Sequence, residues 1–247
     1  LQVLNDDRSL KFNRQSKGRI DQRRLHAVAY DDFNVFYNNT LTTHKKSRIH
    51  LSIDASSSMY GSWANVQSFV IKLSQAFADL RDKIELVLSY RYTCDTINNA
   101  CANVIVYDSK VHSIKHLLKY IPQIRCSGNT PEGFCYTGLL NDKNSTWIDL
   151  TNNPTVNNYF ITLTDGEPTG MAAMTRNNNV QEAQAFIKQI KSAGYIPLAF
   201  FLKAGGGSAP DAFWSAYGSH GVVIDTANIR ELSTTLNDMF IAKSVQS

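Results

Sequence analysis

Three oxygen-bearing side chains follow a short apolar run near residue 50 at regular spacing. Asp54 is followed two and four residues later by Ser56 and Ser58. The apolar run over 49–53 is typical of a buried strand, so one carboxylate and two hydroxyls should share the tight loop at its end. Hard divalent cations such as Mg²⁺ prefer oxygen ligands of this kind. The spacing therefore predicts a metal site.

Two later loops add one oxygen ligand each. Residues 128–132 form a turn-rich loop that contains Thr130, and residues 164–168 follow an apolar strand and contain Asp165. In open parallel sheets, ligands bind beyond the carboxyl ends of the strands, where the strand order reverses. Two carboxylates in such a cleft repel each other unless a cation lies between them. The three loops together predict one site.

The elements around these loops alternate between strands and helices. Residues 84–92 and 103–107 are predicted to pair as a hairpin. Helices are predicted over 62–80, 111–121, 131–140, 179–193, 210–217 and 229–243, and further strands over 48–53, 159–164, 196–202 and 221–224. This alternation implies an α/β fold, with a doubly wound, mostly parallel central sheet flanked by helices.

The first part of the chain has a mixed pattern and much of the positive charge. We predict an N-terminal extension over 1–46 that packs on a main domain over 47–247. Asp21 is a candidate N-cap for a short helix over 22–30. Basic residues cluster within the extension, but the net charge of the chain is only +4. No known nucleic-acid module accompanies them, so nucleic acid is not the expected partner.

The composition is that of a globular protein, with 43% hydrophobic and 19% charged residues. There is no run of about 18 apolar residues and no secretory signal, so we expect a cytoplasmic protein without a membrane span. Because the chain begins with Leu1, we expect residues before it. Reduced thiols are expected at Cys94, Cys101, Cys126 and Cys135. A bridge between Cys94 and Cys101 is the alternative in an oxidising compartment.

The candidate ligands resemble the metal-ion-dependent adhesion site (MIDAS) of von Willebrand factor A (vWA) domains. The family pattern is Asp-x-Ser-x-Ser, then a Thr in a second loop and an Asp in a third. Asp54, Ser56, Ser58, Thr130 and Asp165 supply it in that order. The resemblance implies that the two serines bind Mg²⁺ or Mn²⁺ directly, and that the other three bind directly or through water. It also implies a coordination position left open for an acidic side chain of a protein partner, and no enzymatic activity in this chain alone.

Two segments resemble the vWA branch that serves AAA+ ATPases of the MoxR and chelatase type. Residues 128–131 have its Gly-x-Thr-Pro, and residues 18–25 with 35–36 look like the segment before the vWA domain of the cobaltochelatase CobT subunit. Ser57 replaces the usual glycine between the two serines. The resemblance implies a hexameric MoxR- or CobS-type ATPase as partner, in a cobaltochelatase-like complex of cobalamin biosynthesis. The Asn-rich composition suits a divergent homologue, such as a phage-encoded one.

Two other functions stay open. An adhesion or receptor vWA domain would bind an extracellular or surface ligand and would carry oxidised cysteines, whereas a Mg-dependent hydrolase would show turnover. A haloacid-dehalogenase-type phosphatase is disfavoured, because it needs a second Asp where Ser56 stands. The sequence also has neither a Gly-x-Ser-x-Gly elbow nor a phosphate-binding P-loop.

Besides the predicted ligands, the sequence contains four further features that could take part in a site. Glu132 and Glu167 flank them and are candidates for contact with the partner. His112 and His116 lie four residues apart but lack a third ligand, so we expect exposed polar positions. Residues 205–208 are rich in glycine but lack a lysine, which favours a surface loop over a phosphate cradle.

Overall fold

The computed structural model describes residues 9–15, 19–20, 36–41, 45–80, 82–94, 100–141, 147–169, 175–203, 209–225 and 236. The chain divides into two compact units, one formed by residues 1–45 with 237–247 and one by residues 46–236. The predicted helices over 22–30 and 229–243 lie outside the described residues, apart from Leu236, which is helical and buried. The glycine-rich segment over 205–208 also lies outside them.

The first unit contains a small antiparallel sheet that the sequence analysis did not predict. Its strands are β1 (Ser9–Gln15), β2 (Arg19–Ile20) and β3 (Phe36–Leu41), in the order β1-β3-β2. A weak signal for β1 is present, because Leu10 and Phe12 alternate with polar residues. The many charged and amide side chains around them obscured this alternation.

The second unit is built on a six-stranded sheet in the order β6-β5-β4-β7-β8-β9. Its strands are β4 (Lys46–Asp54), β5 (Ile84–Cys94), β6 (Ala100–Asp108), β7 (Val156–Thr164), β8 (Tyr195–Lys203) and β9 (Gly221–Asp225). All neighbours are parallel except β5 and β6, which form the predicted antiparallel hairpin. The predicted doubly wound, mostly parallel α/β fold is confirmed.

The strand order reverses between β4 and β7. The chain runs outward from β4 through β5 to β6, and then returns to the other side of β4 to begin β7. Such a reversal opens a crevice beyond the carboxyl ends of the two strands on either side of it. Asp54 ends β4 and Thr164 ends β7, so both lie at this crevice.

Within the described residues, five α-helices with complete bounds cover the two faces of this sheet. They are α1 (Trp63–Ala78), α2 (Ile114–Tyr120), α3 (Glu132–Asn141), α4 (Arg176–Ser192) and α5 (Asp211–Tyr217). Trp63 of α1 contacts Tyr90 of β5, whereas the adjacent residue Arg91 lies over the ring of Tyr136 in α3. Successive residues of a strand point to opposite faces. The α1 and α3 helices therefore lie on opposite faces.

An apolar stripe accounts for α1, and residues at its two ends account for the bounds of α4. Helix α1 was predicted over 62–80, and its stripe buries Val66, Phe69, Val70 and Phe77. In α4, the Thr175 side chain caps the helix by accepting a hydrogen bond from the backbone N–H of Asn178. The helix ends before Gly194, whose φ of +83° suits the left-handed turn there.

Helix α2 begins later than the predicted 111–121. Residues 108–112 form a separate turn, in which the backbone N–H groups of Val111 and His112 both donate to the carbonyl of Asp108. The Asp108 carboxylate also accepts from the backbone N–H of Lys110 at 2.8 Å. Aspartate commonly competes with helix formation in this way, so the helix starts only after Ser113.

Two other findings bear on the sequence predictions. None of the helices within the described residues is long and apolar enough to cross a membrane. The four cysteines are present as thiols, with Cys135 buried and Cys101 exposed.

A buried histidine in the centre of the sheet makes the stability of the fold dependent on pH. His50 of β4 lies against the ring of Phe160, and its Nε2 is 2.8 Å from the Ser89 hydroxyl. Burial, with a further contribution from the positive charge of Arg48, lowers the pKa of His50 to about 4. In the unfolded chain the ordinary pKa is about 6.5, so the unfolded state binds more protons between these values.

We predict that the fold loses stability as the pH falls through this window. From about pH 7.5 to about pH 5, the His50 contribution should lower the free energy of unfolding by about 2 kcal/mol. A His50→Gln variant keeps a neutral hydrogen-bonding side chain and should lose less over the same interval. Urea unfolding of both proteins at the two pH values measures the difference. An equal loss in both would show that other groups cause the pH dependence.

Candidate metal centre

The site lies where the loops after β4 and β7 meet. The two strands are parallel neighbours, with Ile53 opposite Leu163, so the residues that follow them leave the sheet side by side. The first loop contains Ser56 and Ser58 and the second contains Asp165. This register places ligands that are more than 100 residues apart in one crevice.

A chain of short hydrogen bonds joins these side chains. The Ser56 and Ser58 hydroxyl oxygens are 3.0 Å apart, and the Ser58 hydroxyl donates to Asp165 Oδ1 at 2.6 Å. Asp54 Oδ1 accepts from the backbone N–H of Ser56 at 2.8 Å, and its Oδ2 accepts from the Thr164 hydroxyl at 2.7 Å. Both oxygens of the buried Asp54 carboxylate are thus held in fixed directions.

The fifth predicted ligand, Thr130, meets the others around Gly166. A Cβ atom added to Gly166 would lie 3.0 Å from Thr130 Oγ1, 3.5 Å from Ser58 Oγ and 3.9 Å from Asp54 Oδ2. Glycine leaves this position without a side chain, so the hydroxyls and the carboxylate surround a small space. The structure brings all five predicted residues together.

The loop before Thr130 is held by contacts with strand β5 and with the first metal loop. Gly128 has a φ of +64°, and a Cβ there would lie 2.0 Å from Thr93 Oγ1. The backbone N–H of the next residue, Asn129, donates to that same Thr93 hydroxyl at 2.6 Å. Ser57 N donates to the Gly128 carbonyl at 3.0 Å. Only glycine fits this close approach with a left-handed backbone.

Asn179 of α4 holds the other side of the Thr130 loop and was not predicted. Its fully buried amide donates to the carbonyls of Thr130 and Thr169 at 3.0 and 2.7 Å, and accepts from the backbone N–H of Gly133 at 2.6 Å. It is the last of three consecutive asparagines in a sequence rich in asparagine, so its type and position gave no signal.

A buried ion pair lies beneath the site. The Arg91 side chain is fully buried, and its guanidinium donates to Glu132 Oε1 at 2.5 Å, to the Ser52 hydroxyl at 3.1 Å and to the Leu163 carbonyl at 3.2 Å. Burial raises the pKa of Glu132, and the positive charge of Arg91 opposes this shift. The sequence analysis did not identify Arg91, because the local sequence of a predicted strand does not indicate which acidic residue an arginine will pair with.

This burial corrects one of our predictions. Glu132 was a candidate for contact with a partner, but its carboxylate has no exposed surface and pairs with Arg91. Glu132 therefore stabilises the start of α3 and does not face a partner. Glu167, the second candidate, is 39% exposed and forms an ion pair with Arg176. Its place at the rim of the site keeps it a candidate for partner contact.

The donor set fits a hard divalent cation. Two carboxylates and three hydroxyls supply only oxygen, and within the described ranges no cluster of three or more His, Cys, Asp or Glu side chains offers a competing site. Burial, and the nearby negative charge of Asp54, raise the pKa of Asp165 to about 6 although the Ser58 hydrogen bond lowers it. Crowding of two negative charges favours a bound cation.

One side of the site is open to solvent. Asp54, Ser56 and Thr130 are buried, whereas Ser58 is exposed and Asp165 is half-buried. A group from another molecule can therefore approach from the side of Ser58 and Asp165.

The two histidines of the predicted pair do not converge on a ligand position. The rings of His112 and His116 stack with centroids 3.9 Å apart, and His112 Nδ1 accepts from the backbone N–H of Asp108 at 3.0 Å.

No protein-family model matches the chain, and no curated protein matches it. Several solved structures are similar to the chain. Proximal thread matrix protein 1 (PTMP1) from the mussel byssus is 18% identical with a TM-score of 0.55, covering 79% of this chain and 47% of its own. The pilus adhesin SpaC from Lactobacillus rhamnosus GG, in its open conformation, is 14% identical with a TM-score of 0.57, covering 79% of this chain and 30% of its own. PTMP1 with a zinc-occupied MIDAS motif is 15% identical with a TM-score of 0.51, covering 81% and 46%.

These similarities establish the fold. The sheet and its flanking helices have the vWA, Rossmann-like α/β architecture. This chain spans less than half of the length of those structures.

We predict that the buried ion pair stabilises the fold only as a pair. Arg91→Met leaves the Glu132 carboxyl buried without its partner and should lower the free energy of unfolding by about 3–5 kcal/mol. The double variant Arg91→Met/Glu132→Met should recover most of this loss. Urea unfolding measures both. Lys46→Met serves as the control, since it breaks an ion pair with Glu85 at the surface and should cost less than about 1 kcal/mol. A double variant no more stable than Arg91→Met would refute the prediction.

We also predict that Gly166→Ala blocks metal binding without unfolding the protein. The added methyl group would lie 3.0 Å from Thr130 Oγ1 and would displace the hydroxyls around it. The affinity for Mn²⁺, measured by calorimetry, should fall about tenfold or more. Gly61→Ala is the matched control, because a Cβ there meets nothing within 4 Å. Equal affinities in the two variants would show that the space beside Gly166 is not the metal position.

Proposed function

We propose that this chain is a metal-dependent protein-binding module whose MIDAS-type site takes an acidic side chain of a protein partner. The observation that carries the proposal is the convergence of two carboxylates and three hydroxyls around the backbone of Gly166. The residues that would hold Mg²⁺ or Mn²⁺ are Asp54, Ser56, Ser58, Thr130 and Asp165. When bound, such an ion offers a free coordination position to an external carboxylate.

The chain contributes orientation. Asp54 is fixed by the backbone N–H of Ser56 and the Thr164 hydroxyl, and Ser58 is fixed by Asp165. Ligands that are already ordered lose little conformational entropy when an ion or a partner binds. The solvent-facing side at Ser58 and Asp165 gives the partner its route of approach.

In this proposal the two serines bind the metal ion and take no part in bond-making. Neighbouring hydroxyl oxygens beside a carboxylate suit ligands of one hard cation. Here the Ser58 hydroxyl donates to Asp165, and the Ser56 hydroxyl lies against Ser58. In this proposal both serines act as ligands, and the chain by itself is not an enzyme.

We further propose that the partner is a hexameric AAA+ ATPase of the MoxR or CobS type, acting with this chain in a cytoplasmic, cobaltochelatase-like or MoxR-like complex. The support is the resemblance of residues 128–131 to the Gly-x-Thr-Pro loop of that branch. The left-handed backbone at Gly128 gives the first residue of this motif a structural reason.

Adhesion to a surface ligand is the second candidate function. It is favoured by the similarity to SpaC, a pilus adhesin, and to PTMP1 of the mussel byssus. In that case the metal site would be the same, but the acidic group would belong to an extracellular ligand.

We predict that metal binding and partner binding are lost together. Calorimetry should show Mg²⁺ and Mn²⁺ binding to the wild type, no binding to Asp54→Ala, and an affinity at least about tenfold lower for Ser58→Ala. In pull-downs from the source lysate, an AAA+ ATPase identified by mass spectrometry should be captured with Mg²⁺ and lost with EDTA and with both variants. Asp79→Ala, which removes an exposed aspartate, is the control and should behave as the wild type.

Each part of the proposal can fail separately. If the wild type binds neither cation even with acetate present as a soluble carboxylate, the metal site is refuted. If it binds the cations but the ATPase is captured equally with EDTA, the metal is not the contact. If metal-dependent capture yields an extracellular ligand and no ATPase, the adhesion function replaces the ATPase partner.

A further inference from the structure

A second candidate site lies away from the metal loops, at the β5–β6 edge of the sheet. It is a cavity of about 550 Å³ between the surface of these strands and the segment that runs from α2 to residue 127. Small-molecule sites commonly have volumes in this range. Its lining residues on the two strands include Tyr90, Tyr92, Val104 and Val106.

Tyr90, one of the lining residues, carries a buried hydroxyl group without a partner among the described residues. Tyr90 is fully buried, and its Oη makes no hydrogen bond to any part of the chain that the structure describes. A buried donor of this kind is unfavourable to leave unpaired. Trp63 packs edge-on against the Tyr90 ring, with centroids 5.5 Å apart, and fixes its orientation. Burial raises the pKa of Tyr90, so the phenol remains a donor.

The walls combine apolar surface with positive charge. Val104 is 41% exposed and Tyr120 is 38% exposed, and both line the cavity. Neighbouring exposed apolar side chains commonly mark a binding site. Arg125 lies exposed at the rim. Among the described lining residues there is no acidic side chain, so the cavity favours an anion.

We propose that this cavity binds a planar aromatic anion, such as an aromatic carboxylate or sulfonate. The rings of Tyr92 and Tyr120 and the valine side chains take the apolar ring system. The Tyr90 hydroxyl donates to a polar atom of the ligand, and Arg125 attracts its charge. The inference does not rest on the metal site or on the proposed protein partner.

The first test uses 8-anilinonaphthalene-1-sulfonate as a fluorescent probe. The wild type should bind it with one saturable site, and 2-naphthoate should displace it better than the neutral 2-naphthylmethanol does. Tyr90→Phe removes only the hydroxyl and should weaken binding about fivefold to tenfold. Arg125→Gln should weaken binding several-fold and reduce its dependence on salt.

Three further variants separate the cavity from nonspecific binding of the probe. Val104→Trp should fill the cavity and abolish displacement by 2-naphthoate. Tyr60→Phe changes a tyrosine that is 83% exposed, and Lys72→Gln removes an exposed charge on α1; neither should affect binding. The proposal is overturned if the wild type shows no saturable binding, or if Val104→Trp and Arg125→Gln bind as the wild type does. Arg125 is exposed, so its variant remains informative should Tyr90→Phe alter the fold.

Discussion

A guanidinium group that is shielded from water must find its acceptors inside the protein, and Arg91 finds them on three neighbouring elements. Arg91 belongs to β5, and its acceptors belong to β4, β7 and α3. Two of these acceptors, Ser52 and Leu163, lie within two residues of the points where β4 and β7 release their chains into the metal loops. The orientation of the loops therefore depends on a charge that never meets solvent.

The charges above and below the site are arranged in layers. Arg91 balances Glu132 beneath the sheet ends, while Asp54 is buried at the end of β4 and Asp165 is half-buried in the loop after β7. Burial, with repulsion from Asp54, raises the pKa of Asp165, and a divalent cation bound at the site would offset both effects. The hydroxyls of Ser56, Ser58 and Thr130 add ligands without adding negative charge. This balance suits an ion that retains affinity for one more carboxylate from outside.

The sequence was informative where local pattern and position coincide. The convergence of the five candidate ligands could be predicted, because Asp54, Ser56, Ser58 and Asp165 follow predicted strand ends and Thr130 precedes a predicted helix, and parallel strands bring such ends together. Arg91, Glu132 and Asn179 could not be assigned, since their roles depend on contacts across 40 or more residues that leave no mark in local sequence. Helix α2 starts late because the Asp108 side chain captures the first turn. The strands of the first unit were missed because polar residues dominate them.

One short segment takes part in both candidate sites. Residues 123–125 and Ser127 line the cavity, and the backbone N–H of Ser127 donates to the carbonyl of Ala55 in the first metal loop at 2.8 Å. The following residues lead directly to Thr130. A ligand bound in the cavity that shifts this segment would change the affinity of the metal loops for the ion by some factor. The bound ion would then change the affinity of the cavity for that ligand by the same factor. Such heterotropic linkage would let a small molecule tune metal binding from the neighbouring cavity, with neither ligand touching the other.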